Sequence, residues 1–127
     1  VLEAAATLGV LPGQIGKTLS LSVGEAVVLV VAAGDYRLDN RKVKDALGSR
    51  PRMLGSEEVE QLTGHPVGGV CPFGLPTPLP IYCDISLRKF DTVYPAAGSR
   101  TASVQITPAG LAKLVGATWA DLCSPPS

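Results

Sequence analysis

The sequence predicts an α+β domain, and three observations carry that expectation. One is strict alternation in "IGKTLSLSV", Ile15 to Val23, where Ile15, Lys17, Leu19, Leu21 and Val23 alternate with small or hydroxyl residues, as a half-buried strand requires. The second is "AVVLVVAA", Ala26 to Ala33, β-branched on both sides of the period and therefore a strand covered on two faces. The third is a pair of marked helix boundaries later in the chain.

In chain order, "VLEAAATLG" is rich in Ala and Leu and ends on Gly9, which reads as the end of a helix with a glycine cap. The two strands above follow. The period then changes to helical in "LDNRKVKDALGS", with Asp39 or Asn40 as N-cap, Val43, Ala46 and Leu47 on one face and Gly48 as stop. "GSEEVEQLTG" repeats the device: Ser56 caps, Glu57 and Glu58 sit at the favourable end of the helix dipole, and Gly64 closes. Beyond a glycine-rich loop, "LPIYCDI", "DTVYPAAG" and "TASVQI" read as strands. The last runs into "TPAGLAKLVG", where Thr107 caps a helix with Pro108 in its first turn. The sum is about six strands and four short helices in one domain over 1–127, and a chain that begins at Val1 rather than Met leads to the expectation of a further N-terminal piece.

Eleven basic residues balance eleven acidic ones, so no global field exists of the kind that holds a protein on DNA or along RNA. Nucleic-acid contact has to be local. The largest basic excess lies between Asp35 and Arg52, six Lys/Arg against three Asp, and Arg37, Arg41, Lys42 and Lys44 are its weak candidates for tRNA contacts. An ordinary solvated helix face is the alternative.

Three cysteines, Cys71, Cys83 and Cys123, fit neither a zinc pattern nor a disulfide framework. A reducing, cytoplasmic compartment is expected, with no metal, no cofactor and no membrane span. The longest apolar run is far too short to cross a bilayer.

Two features raise a question of chemistry. Lys17 places a charge on an otherwise apolar strand face, where burial is avoided unless the ammonium finds a partner or a pocket; a lysine snorkelling from a strand end is the alternative. "GHPVGGVCPFG", Gly64 to Gly74, sets Gly68 and Gly69 between stiffening prolines. Two missing Cβ atoms let backbone N–H groups approach a carbonyl oxygen or oxyanion, although a tight structural turn uses the same residues. A Cys71/His65 nucleophilic pair is disfavoured, because His65 immediately precedes Pro66 and a catalytic thiol needs a lowered pKa with a base in reach.

"KTL" at Lys17, "GDYRLD" at Gly34, "ALGSRPRMLGSEEVEQLTGHPVGGVCPFG" and "LPIYCDISLRKFDTVYPAAG" occur in one order that resembles the YbaK/prolyl-tRNA editing family over about Gln14 to Leu122. The resemblance implies a mixed, largely antiparallel, curved and barrel-like sheet with short helices packed on it. It also implies a trans-acting aminoacyl-tRNA deacylase acting on Cys-tRNA(Pro) or another small amino acid. Residue by residue, it makes Lys17 an electrostatic anchor near the aminoacyl ester or terminal adenosine phosphate, and Gly68 and Gly69 the backbone wall of the catalytic pocket. Thr18, Val70, Cys71, Pro72, Asp84, Ala97 and Gly98 become substrate-binding residues. Its implied partners are the acceptor end of mischarged tRNA and prolyl-tRNA synthetase. Cys71 stands where many relatives carry Ser, Ser99-Arg100-Thr101 replaces an Arg-Arg-Gly, and the His-Pro-Leu of the alanine-specific branch is absent. These departures leave the amino-acid preference open while arguing against a pure Ala-tRNA editor. Two rivals also stay open: a non-catalytic amino-acid, nucleotide or acceptor-end binding module, and a small-ester hydrolase working through Cys71.

Overall fold

A computed structural model describes residues 9, 12–54, 79–95 and 105–125. Within them run a 3-10 turn at Pro12–Gln14, then β1 (Ile15–Val23), β2 (Ala26–Ala33), β3 (Arg37–Leu38), α1 (Asn40–Leu47) and β4 (Pro51–Met53). After the next described residues come β5 (Ile81–Asp84), a 3-10 turn at Ile85–Lys89, β6 (Tyr94–Pro95), α2 (Pro108–Val115), β7 (Thr118–Ala120) and β8 (Cys123–Ser124).

The β1–β2 hairpin organises the fold. Gly24 takes φ +61 at its turn, a left-handed conformation that glycine adopts without steric cost. This sets Val23 opposite Ala26, Leu21 opposite Val28, Leu19 opposite Val30 and Lys17 opposite Ala32. The period of two then divides the core. On one face Leu21, Val23, Val28, Val30 and Ala32 pack with Val43 of α1, Tyr36, Leu122 and Cys123. On the other, Leu29 and Val31 pack with Ile81, Cys83, Leu87 and with Leu111 and Ala112 of α2. As the sequence implied, β2 is covered on both sides, and its Leu29 to Ala33 stretch is fully buried.

The main sheet runs β4-β1-β2-β5-β7, with β6 also beside β1, while β3 and β8 form a separate two-stranded ribbon. The expected barrel-like closure is corrected: among the described residues no sheet closes on itself. Closure needs the two end strands to pair, yet β4 and β7 are three-residue strands at opposite ends of the path. Within the main sheet the antiparallel strand pairs are β4–β1–β2, and β5, β6 and β7 join in parallel; the β3–β8 ribbon is antiparallel.

Both described helices begin where their caps predict. Asp39 accepts the Arg41 and Lys42 N–H groups and Gly48 ends α1 at φ +90. Thr107 accepts the Gly110 N–H, with Pro108 at the start of α2. The segment read as the strand "TASVQI" contributes one bridge, Ile106 with Val93; Thr101 to Val104 lie outside the described residues, as do residues 1–8 of the expected N-terminal helix end and the helix expected from Ser56.

Candidate functional site

Lys17 is placed by the hairpin register on the α1 face, across from Ala32, whose short side chain leaves room for a lysine stem. It is half-buried. A turn in which the Tyr36 N–H donates to the Ala33 carbonyl at 3.0 Å presents the Tyr36 carbonyl, which accepts from the Lys17 ammonium. The partner anticipated for a charge on this face is thus a backbone oxygen. An ammonium carries three donors, so this bond leaves two for a ligand. The Tyr36 ring in turn lies under the Lys89 ammonium, 4.9 Å from its centroid, and two lysines thereby converge on one residue.

Thr18 faces the opposite way. With Ser20 it points to the α2 face, opposite Val31 and Leu29 respectively. The Thr18 and Ser20 hydroxyls are buried without a hydrogen-bond partner. On its outer edge β1 is paired at Ile15 and Gly16 by β6 and at Leu21 to Val23 by β4, and the Leu54 N–H donates to the Ser20 carbonyl at 3.3 Å. Among the described strands, none pairs with that edge at Lys17 to Leu19.

Asp84 shares the α1 face with Lys17, since its β7 partner Ala120 and its strand neighbour Tyr82 both pack there. Fully buried, its carboxylate accepts the Ser86 N–H at 3.0 Å, the Leu122 N–H at 2.7 Å and the Cys123 N–H at 3.0 Å. Ser86 passes the connection on, its hydroxyl accepting the Ala33 N–H at 3.1 Å. The D-x-S pattern therefore ties the end of β2, the end of β5 and the approach to β8 into one knot. The carboxylate's three bonds fix these chain segments against one another. Of the three bonds only the one to Ser86 is local enough to leave a sequence signal, an Asp that captures the N–H two residues on being an ordinary turn device.

Of the basic candidates, Arg37, Arg41 and Lys44 are exposed. Lys42 is not among them, because its ammonium donates to Asp121 and to the Cys123 carbonyl, both at 2.9 Å. The Asp121 contact holds its pKa above the usual lysine value. Asp39, receiving the Ser124 hydroxyl at 2.5 Å, is held below the usual carboxylate range chiefly by that bond and next by the Lys42 N–H. Together these contacts strap β8 to α1.

The buried thiols are poor nucleophiles. Desolvation, with the Asp84 charge adding to it, pushes Cys83 up to about 11 and Cys123 up to about 12. Gly68, Gly69, Val70, Cys71, Pro72, Ala97 and Gly98 lie outside the described residues. Among the described residues no group of three or more His, Cys, Asp or Glu side chains could hold a metal, and no helix is long and apolar enough to cross a membrane.

The family model of the aminoacyl-tRNA editing domain matches residues 1–114. The chain belongs to the aminoacyl-tRNA editing domain family. Editing an aminoacyl-tRNA means hydrolysing the ester that joins amino acid to terminal ribose, so the chemistry of an editing domain is that of a deacylase. This editing domain is 45% identical over 125 residues to protein YwhH of Bacillus subtilis (strain 168), covering 97% of this chain and 80% of that one. It is 34% identical over 108 residues to the proline–tRNA ligase of Geobacter sp. (strain M21), covering 82% of this chain but only 19% of the ligase. A solved structure of a protein proposed to be a trans-editing enzyme for prolyl tRNA synthetase superposes with a TM-score of 0.90 at 39% identity, covering 96% of this chain and 78% of that one. Tyr36 and Lys89, which join Lys17 at the candidate site, were not singled out from the editing domain's sequence. A backbone carbonyl partner leaves no mark in composition or spacing.

Proposed function

We propose that this chain is a trans-acting deacylase that hydrolyses mischarged tRNA bearing a small amino acid, with a Cys-tRNA(Pro)-like ester as its first candidate. The observation that carries the reading is Lys17: a half-buried ammonium on an apolar strand face, steadied by the Tyr36 carbonyl. Its two remaining donors suit an anionic or carbonyl oxygen of the acceptor end.

In this reading Lys17 anchors the terminal nucleotide electrostatically, and the N–H groups of Gly68 and Gly69 polarise the ester carbonyl. Thr18, Val70, Cys71, Pro72, Ala97 and Gly98 shape a pocket that rejects larger side chains. A water oxygen attacks the carbonyl carbon and the bond from that carbon to the ribose oxygen breaks. The proton lost by water passes to the ribose oxygen, releasing free amino acid and uncharged tRNA. Asp84 holds the scaffold beneath Lys17. Exposed Arg37, Arg41 and Lys44 meet tRNA phosphates, and prolyl-tRNA synthetase is the partner that supplies the mischarged substrate.

The test is hydrolysis of tRNAs charged with Cys, Ala, Ser, Thr and Pro by the wild-type chain. Turnover of one or more names the substrate. Binding of acceptor ends with no turnover on any of the five would replace the enzyme by a binding module.

A further inference from the structure

A cavity of about 320 Å³ opens between the turn after β5, the start of α2 and β7, and Arg88, Phe90, Asp91 and Trp119 line it together with the first residues of α2. Its volume lies at the lower end of small-ligand clefts. The Arg88 guanidinium sits 5.3 Å from the centroid of the Trp119 ring. Arg88 and Asp91 are both exposed, and among the described residues neither makes an ion pair. A cation, a carboxylate and an aromatic ring thus surround one space. A bare anion would meet repulsion from Asp91, and an apolar peptide would leave both charges unmatched. An unpaired nucleotide matches all three groups. Its base stacks on the ring or the guanidinium plane, its phosphate takes guanidinium donors, and the exocyclic amino group of cytosine or adenine donates to the carboxylate.

Strand register sets this cavity at the level of Lys17. Lys17 lies opposite Ala32, the adjoining Val31 opposite Cys83, and Cys83 opposite Trp119. Three strand spacings, about 14 Å, separate β1 from β7, a reach of a few nucleotides. Lys17 faces α1 and Trp119 faces α2, and consecutive residues of the turn after β5 serve the two sides. Arg88 reaches Trp119, while Lys89 reaches the ring of Tyr36, whose carbonyl holds Lys17. We propose that the Arg88–Asp91–Trp119 cavity is a second tRNA site, which takes an unpaired base of the acceptor end a few nucleotides from the terminal adenosine at Lys17. The inference rests on the deacylase reading for what Lys17 holds.

Trp119 is the chain's only tryptophan, so its fluorescence reads the cavity directly and without turnover. Titrating the wild-type chain at low salt with the uncharged ribonucleotide CCA is expected to quench it saturably. UUU, which lacks exocyclic amino groups, and CMP, which is too short to reach Lys17, should each bind about tenfold more weakly. Arg88→Ala should weaken CCA about tenfold and flatten its salt dependence by about one phosphate contact. Asp91→Ala should abolish the preference for CCA over UUU. Thermal midpoints recorded in parallel establish that both variants are folded, and both residues are exposed. Absence of quenching, an affinity unchanged in Arg88→Ala, or a preference over UUU that is missing in wild type or retained in Asp91→Ala overturns the proposal. CMP binding as tightly as CCA overturns it too, by making the cavity a site for free nucleotides. CCA bound in the expected way alongside silence on the panel of charged tRNAs supports the site and removes the deacylase reading instead.

Discussion

The Asp84 carboxylate receives the Leu122 N–H at 2.7 Å across 38 positions of sequence, and with it the N–H groups of Cys123 and Ser86. This contact joins the end of β5 to the last described strand. Asp84→Ala would leave three backbone N–H groups without their acceptor in a fully buried setting. A loss of roughly 3–9 kcal/mol is expected, at about 1–3 for each orphaned group. Urea unfolding measures it as a lowered midpoint with little change in slope.

The strap between α1 and β8 gives stability a pH signature. The Asp39 carboxyl lies below its ordinary value of 3.8 in the folded chain. Its contribution is therefore complete above 3.8 and lost as pH falls through the lower folded value. Lys42 lies above its ordinary 10.5, so its contribution is complete below 10.5 and lost as pH rises through the folded value. Thermal midpoints measured from pH 3 to 11 should fall at both ends, and Ser124→Ala should shrink the acid-side change. An acid-side change unaltered by Ser124→Ala would mean that other carboxylates dominate it.

Cys83 and Cys123 should resist thiol reagents at neutral pH in the native state, being pushed up to about 11 and about 12 and buried. Only the thiolate reacts quickly. Disulfide-exchange titration should leave both unmodified until denaturant is added, then count all three cysteines of the chain. Their raised values also mean stability that is full below 9.0 and declines as pH rises from there.

Arg41 and Lys44 project from α1 into solvent. If they meet tRNA phosphates, replacing either with Ala raises KM with little effect on kcat, and the salt dependence of KM flattens by about one phosphate contact for each residue. Lys42→Ala should act differently, loosening the β8 strap through loss of its Asp121 and Cys123 contacts. Equal salt effects from all three would contradict that division.

Legibility followed the range of the interactions. Strands β1 and β2 were readable because alternation and β-branched content are local, and both described helices because Asp39, Thr107 and Pro108 act within one turn of chain. The ribbon of Arg37–Leu38 with Cys123–Ser124 was not, since two residues hold no period and its partners lie far apart. Openness of the sheet was equally hidden, because closure depends on whether β4 meets β7, a relation no local pattern records. Of the candidate site, Lys17 stood out as a charge on an apolar face. Its Tyr36 partner and the knot at Asp84 did not, since both are contacts between backbone and side chain formed only on folding. The alternation that exposed Lys17 also carried the Thr18 and Ser20 hydroxyls, but a strand pattern alone reads them as a solvent face; burial turns them into an anomaly.

Lys17 is the centre of the account, and the most direct measurement is single-turnover hydrolysis of the preferred mischarged tRNA by wild type, Lys17→Ala and Lys17→Met. Circular dichroism and thermal midpoints establish that each variant is folded. Loss of an electrostatic anchor predicts a fall in kcat/KM of about 100-fold or more in both variants, with the fold retained. Full turnover by folded Lys17→Ala would contradict the account and place the chemistry elsewhere in the chain.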